Sequence, residues 1–204
     1  MKYPVIILAG GKGKRIKKLT AKKPKPLVKI LNKPFIEYQI DLLRKQKVKK
    51  LIISIGYRGD EIINFIKNKN YKDIDISFFK DGIKPLGTGG ALKKISKKIQ
   101  GTFIILYGDS FLPISIKNIE KKFIKSKQDV LLTIYKNNNR FDKSNIKIVN
   151  KKIFYNKFIN DSDMKYIDYG LSIIKSKIIK NFTSNKKFDL SDLIYKLCLD
   201  HKIA

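Results

Sequence analysis

The chain has 204 residues, with 46 Lys or Arg against 17 Asp or Glu and a formal net charge of +29. At about 150 residues per domain, this length predicts one domain whose core is large enough to fold without staples. A single cysteine, Cys198, excludes an internal disulfide, and no apolar run approaches the ~20 residues that a membrane-spanning helix needs.

Short apolar runs alternate with amphipathic stretches along the chain, the βαβ pattern of an α/β domain. Val5 to Ala9 reads as a buried strand, Phe35 to Lys45 as a helix, Lys50 to Ile55 as a strand and Asp60 to Lys67 as a short helix. Ile74 to Phe79 is the next strand, Gly89 to Ile99 a helix, and Thr102 to Tyr107 a strand ending in Gly108-Asp109. A helix from Ile116 to Ser126 leads into the strand Val130 to Tyr135, and the polar run Lys136 to Ser144 reads as a loop. Short strands follow near Ile146 to Val149 and Lys152 to Tyr155, then Ile167 to Ile174. The last element is a helix from Leu190 to Leu199, capped by Asp189 or Ser191. Cys198 shares a helical face with Leu190, Ile194 and Leu197, which predicts core packing.

Hydrophobic residues make up 43% and charged residues 31%, the balance of a globular protein rather than a disordered one. A charge of +29 would suit a nucleic-acid footprint, but only Arg15, Arg44, Arg58 and Arg140 are arginines, and the lysines are spread over the whole length. Lys, Asn and Ile share A- and T-rich codons, so the excess reads as compositional. The expectation is neither a nucleic-acid nor a membrane partner. Met1-Lys2 followed by Tyr3 to Ala9 superficially resembles a signal peptide, yet Lys12, Lys14 and Arg15 stand where a cleavage site should be. Together with the lone cysteine, this predicts a cytoplasmic location.

The most informative segment is Leu8-Ala9-Gly10-Gly11-Lys12-Gly13-Lys14-Arg15-Ile16, directly after the first strand. Glycines let backbone N–H groups approach an anion closely, which points to phosphate. A P-loop would need glycine five residues after Gly10, where Arg15 stands. A dinucleotide fingerprint from Gly11 and Gly13 would need glycine at Ile16, and Pro24 and Pro26 would break its helix. What remains is Arg15 inside the loop and Lys25 ten residues on, bracketed as Pro24-Lys25-Pro26. The prolines are expected to hold Lys25 in an extended, stiff segment, a preorganised cation for a nucleoside triphosphate.

The runs LAGGKGKRI and PKPLVKILNKPFIEY resemble the signature of the sugar-phosphate nucleotidyltransferases. Leu86-Gly87-Thr88-Gly89-Gly90-Ala91 resembles the family's second glycine-rich loop, and Tyr107-Gly108-Asp109-Ser110 its metal-binding Gly-Asp pair. The chain looks most like short bacterial groups such as the heptose 1-phosphate guanylyltransferases and N-acetylmuramate 1-phosphate uridylyltransferases, and it has no hexapeptide repeat. The resemblance implies a Rossmann-like, three-layer α/β fold with a mostly parallel central sheet and a small sugar-binding subdomain. It also implies an enzyme that joins an NTP to a sugar 1-phosphate, releasing pyrophosphate, for bacterial surface polysaccharide or cell-wall sugar metabolism.

By the same resemblance, Arg15 holds the departing pyrophosphate, Lys25 the α-phosphate, and Asp109 ligates Mg²⁺. Gly10, Gly11 and Gly13 form the backbone cradle, Ala9 and Lys14 join them in binding the nucleotide, Leu8 and Gly89 flank the base, and Lys157 and Gly170 meet the sugar phosphate. Residues 1–115 would form a nucleotide-binding part and 116–204 a sugar-phosphate-binding part of one domain. The family's second acidic metal ligand lies beyond the final helix, near a Gly-Thr or Gly-Ser pair that this sequence does not show. The alternative expectation is therefore a truncated or impaired homologue that binds nucleotide sugars without turnover.

Overall fold

A computed structural model of the chain describes residues 1–11, 13, 23–82, 85–150, 152–159, 161–183, 187–200 and 202–204. These residues form two compact units, Met1–Pro85 with Phe103–Ile119, and Leu86–Thr102 with Glu120–Ala204.

In chain order the first unit holds β1 (Val5–Leu8), a 3-10 turn (Lys25–Leu27), the hairpin of β2 (Lys29–Ile30) and β3 (Lys33–Pro34), helix α1 (Phe35–Lys45), β4 (Lys50–Ile55), helix α2 (Gly59–Lys69), β5 (Asp75–Lys80) and β6 (Thr102–Tyr107). β1 lies between β4 and β6, with β5 outside β4, and every one of these pairings is parallel. Val5 stands level with Leu51 on one side and Ile104 on the other. Val5, Ile6 and Ile7 are all fully buried, so both faces of β1 are covered. That is why these strands read as unbroken apolar runs rather than alternating ones. Leaving the hairpin aside, the sheet order is third, second, first, fourth, so the chain reverses direction across the sheet between β1 and β6. The carboxyl ends of those two strands are neighbours at the point where α/β sheets hold their ligands.

The second unit begins with helix α3 (Gly87–Lys98). Helix α4 (Ile116–Ser126) starts in the first unit and ends in this one, followed by β7 (Val130–Lys136), β8 (Ile146–Val149), β9 (Lys152–Tyr155), β10 (Tyr166–Lys175), helix α5 (Ser176–Asn181) and helix α6 (Leu190–Leu199). Here the pairings of β10 with β7 and β8, and of β8 with β9, are antiparallel. The register of β10 on β7 shifts between Asp168 and Ser172, which marks a bulge. Cys198 is buried as expected, and burial pushes its thiol up to about 11. No helix among the described residues is long and apolar enough to cross a membrane.

The chain is thus α/β, with a mostly parallel central sheet of Rossmann type. Three details differ from expectation. The β2–β3 hairpin has strands too short to leave a periodic pattern, and its turn residues Leu31 and Asn32 both take positive φ, as a type I′ turn requires. α5 is likewise too short for helical periodicity to reveal. The second glycine-rich segment is the first turn of α3, which starts at Gly87 rather than Gly89.

Candidate active site

The first glycine segment leaves the carboxyl end of β1, and its glycines meet different demands. A Cβ at Gly10 would lie 2.9 Å from Asp81 Oδ2 and 3.3 Å from the Gly56 amide nitrogen, so Gly10 is a site of close approach. Gly11 is exposed, and a Cβ there would meet nothing within 4 Å, which leaves its backbone open to a ligand. Gly13 has φ of 63°, the left-handed region that favours glycine. Ala9 is buried, with its N–H donated to Ser54 O at 2.8 Å, and Leu8 O accepts the N–H of Gly108 at 3.0 Å. The last bond ties the glycine segment to the Gly108-Asp109 strand end. A Cβ at Gly108 would sit 2.5 Å from that same oxygen, so glycine is what this spacing accepts before Asp109. Lys14 and Arg15 lie outside the described residues.

Lys25 is not extended. It opens the 3-10 turn, with Pro24 extended before it (φ −64°, ψ 147°) and Pro26 inside the turn, where Leu27 and Val28 donate back to Pro24 O and Lys25 O. Pro26 needs no N–H in a first turn, and the fixed φ of proline suits it, so the pair of prolines starts a helical turn instead of preventing one. From this turn Lys25 Nζ donates to Asp109 Oδ2 at 2.6 Å. The cation and the carboxylate, 84 residues apart in sequence, are therefore in direct contact. Their side chains remain 33% and 53% exposed, so both stay open to a ligand.

Beneath this pair lies a residue that the sequence reading passed over. Gln39 is 1% exposed on the buried face of α1, among Ile36, Ile40 and Leu43. Its Nε2 donates to Tyr107 O at 2.9 Å and Ser110 O at 2.7 Å, the carbonyls on either side of Gly108-Asp109. A polar side chain at a core position of an apolar helical stripe was the available signal.

In the second unit the residues gather around the start of α6. Asp189 is the N-cap, and with Asp192 it makes a reciprocal capping box. Thr88 N and Oγ1 both donate to Asp189 Oδ1, while Gly89 N and Gly90 N donate to Phe188 O. The opening N–H groups of α3 are thus engaged by protein. A Cβ at Gly89 would fall on the Phe188 ring, so glycine is needed there for packing. Lys157 Nζ donates to Ser191 Oγ at 2.5 Å and stands 4.0 Å from Asp192 Oδ1. Tyr155 joins the cluster: burial pushes its phenol up, and its hydrogen bond with Ser191 opposes that shift. Gly170, with φ of 95°, lies at the β10 bulge and donates its N–H to Asp168 Oδ1 at 2.9 Å. Lys157 and the Gly89 segment therefore both meet α6, through Ser191 and Asp189 respectively, a convergence that neither motif displays alone. Among the described residues, no three acidic, Cys or His side chains cluster as a metal cage.

A model of the nucleotidyl transferase family matches residues 4–144, more than half of the chain. The chain belongs to that family. The resemblance carried by the two glycine-rich segments and the Gly-Asp strand end thus has the right family behind it. Among curated nucleotidyl transferases, the chain is 28% identical to the D-glycero-alpha-D-manno-heptose 1-phosphate guanylyltransferase of Campylobacter jejuni over 191 residues, 93% of this chain and 83% of the relative. An enzyme of the same name from Aneurinibacillus thermoaerophilus is 35% identical over 130 residues, and the match spans 63% of this chain and only 56% of that relative. Among solved structures, HddC from Yersinia pseudotuberculosis in complex with GMP-PN has a TM-score of 0.74 at 31% identity, covering 93% of this chain and 83% of that one. A Bacillus anthracis protein reaches 0.83 at 19% identity, covering 99% and 85%, a likeness of fold.

Proposed function

We propose that this nucleotidyl transferase joins an NTP to a sugar 1-phosphate and releases pyrophosphate. The observation that carries the reading is the 2.6 Å contact of Lys25 with Asp109 beside the glycine segment at the β1 and β6 strand ends. A phosphate oxygen of the sugar 1-phosphate attacks the α-phosphorus, a new P–O bond forms, and the bond to the β-phosphate oxygen breaks as pyrophosphate leaves. Two anions must meet, so neutralising charge in a fixed geometry is the dominant demand.

In this reading Lys25 shifts from Asp109 to the α-phosphate, Arg15 takes the leaving pyrophosphate, Gly10, Gly11 and Gly13 form the phosphate cradle, and Ala9 and Lys14 help bind the nucleotide. Leu8 and Gly89 flank the base, and Lys157 and Gly170 serve the sugar phosphate. Residues 1–115 hold the nucleotide and 116–204 the sugar phosphate. Asp109 suits Mg²⁺, a hard ion commonly held by one or two carboxylates plus substrate phosphates and water. Among the described residues, its half-exposed carboxylate accepts one hydrogen bond, from Lys25 at Oδ2. Bound there, Mg²⁺ would supply charge neutralisation at the phosphates. The guanylyltransferase relatives make GTP and a heptose 1-phosphate the first substrates to try, with a role in surface polysaccharide synthesis. The reading includes a cytoplasmic location and neither nucleic-acid nor membrane partners.

The test is pyrophosphate release with Mg²⁺, starting from GTP and D-glycero-α-D-manno-heptose 1-phosphate and extending to other NTPs and sugar 1-phosphates. Saturable release with at least one pair is expected. Saturable nucleotide binding with no pyrophosphate from any pair would instead favour a nucleotide-sugar-binding homologue without turnover.

A further inference from the structure

We infer that Gln39 is a positioning residue that sets the geometry of the Asp109 carboxylate. The inference rests on Asp109 being the metal-holding residue of the proposed reaction, and goes beyond it in naming what aims that carboxylate. Gln39 is an uncharged polar residue at a fully buried helix position, where its neighbours Ile36, Ile40 and Leu43 supply the apolar contacts. Burial of an amide is unfavourable unless its groups are bonded. Gln39 bonds through Nε2 alone, at 2.9 Å and 2.7 Å, while its Oε1 has no hydrogen-bond partner among the described residues. A leucine there would leave no orphaned oxygen, so the amide is better explained by what its nitrogen holds.

That nitrogen bridges Tyr107 O and Ser110 O. These two carbonyls are also drawn together by Ser110 N, which donates to Tyr107 O at 3.1 Å. Asp109 stands at the crest of the turn they close, and among the described residues its side chain is bonded by Lys25. The opposite end of the strand break is fixed by Gly108 N on Leu8 O. The turn is therefore pinned to β1 on one side and to α1 on the other, and the second attachment is made by the Gln39 side chain. A carboxylate that shares a metal with mobile phosphates gains from such fixing, since the ligand's outer hydrogen bonds orient it.

Gln39→Met keeps the length of the side chain and removes both donors. Acting through Asp109, the change should raise the Mg²⁺ concentration for half-maximal pyrophosphate release about tenfold. KM for GTP, or for the NTP of the panel that replaces it, should stay within about twofold, and saturating Mg²⁺ should restore kcat to within about threefold. A merely structural role would lower active protein without moving the Mg²⁺ requirement. A folded Gln39→Met with an unchanged Mg²⁺ requirement overturns the inference. Gln39→Glu covers the case in which the methionine variant does not fold. A protonated carboxyl can donate one bond to these carbonyls, whereas an ionised one donates none, so its Mg²⁺ requirement should climb with pH more steeply than that of the wild type. A pH profile parallel to the wild type is a second overturning result. If the wild type itself releases no pyrophosphate, the proposed function fails, and Gln39 is judged by amide exchange at Asp109 and Ser110. That exchange should quicken about tenfold in either variant relative to β1, and unchanged exchange sinks the inference independently.

Discussion

The two compact units assemble their polar groups by different means. In the first, strands of a doubly covered parallel sheet deliver Gly10 and Asp109 from adjacent carboxyl ends, and backbone bonds such as Gly108 N to Leu8 O fix the spacing. In the second, side chains far apart in sequence are gathered around one helix start: Thr88 reaches Asp189 and Lys157 reaches Ser191. A strand end places a group through the sheet's own ladder, so a local motif suffices. A cluster on a helix terminus depends on caps and packing that no local motif encodes. Substitutions at the exposed site residues of the first unit should therefore strike chemistry while sparing stability, whereas those at the packed positions of the second should cost stability as well.

The largest effect expected is from Lys25→Ala. Removing one preorganised cation from the reacting phosphate should lower kcat about a hundredfold or more while the melting temperature barely moves. Activity within a few-fold of wild type would remove Lys25 from its assigned role and break the contrast at its strongest point. Next come the glycines. Gly89→Ala puts a methyl group onto the buried Phe188 ring, and overpacking of this kind costs about 1–3 kcal/mol, which a thermal or urea unfolding curve would register. Gly11→Ala adds its methyl to open space and should change stability by less than about 0.5 kcal/mol, while NTP binding weakens if its backbone faces phosphate. Equal losses of stability at the two positions would erase the distinction.

The smallest effect is electrostatic. Hydrogen bonds from Lys175 and Lys177 hold the Asp129 carboxyl below its ordinary value. A depressed folded value means that the folded state binds its proton less readily than the unfolded chain. The contribution is thus complete above the ordinary carboxylate value of about 4 and is lost as pH falls through the lowered one. Melting temperatures taken from neutral to acid pH should fall less steeply for Asp129→Asn than for wild type, and equal slopes would show that the pair adds nothing.

Legibility followed the same divide. The strand and helix order of the first unit could be read because buried parallel strands are unbroken apolar runs and the intervening helices carry 3.6-residue periodicity. Phe35–Lys45 and Lys50–Ile55 have the limits that periodicity set. Lys25 was legible as a special lysine but not as the start of a 3-10 turn, because a proline pair limits φ without choosing between extended and helical ψ. Gln39 carried a signal, a polar side chain in an apolar stripe, yet nothing in the sequence names Tyr107 O and Ser110 O as its partners. At α6, Asp189 and Ser191 were equal candidates for the cap. The structure gives the cap to Asp189, with Asp192 answering it, and turns Ser191 toward Lys157.

Periodicity and residue type alone determined the α/β class, the buried strands, the glycine segment after β1 and the membership of Cys198 in a core, because each depends on neighbours within a few residues. Only the tertiary structure decided that Lys25 touches Asp109, that Gln39 clamps the turn beneath it, and that Gly89 must leave room for Phe188. Those contacts join residues many tens of positions apart, and a hydrogen bond or a steric limit at such separation exists only once the chain has brought its strand ends and helix starts together.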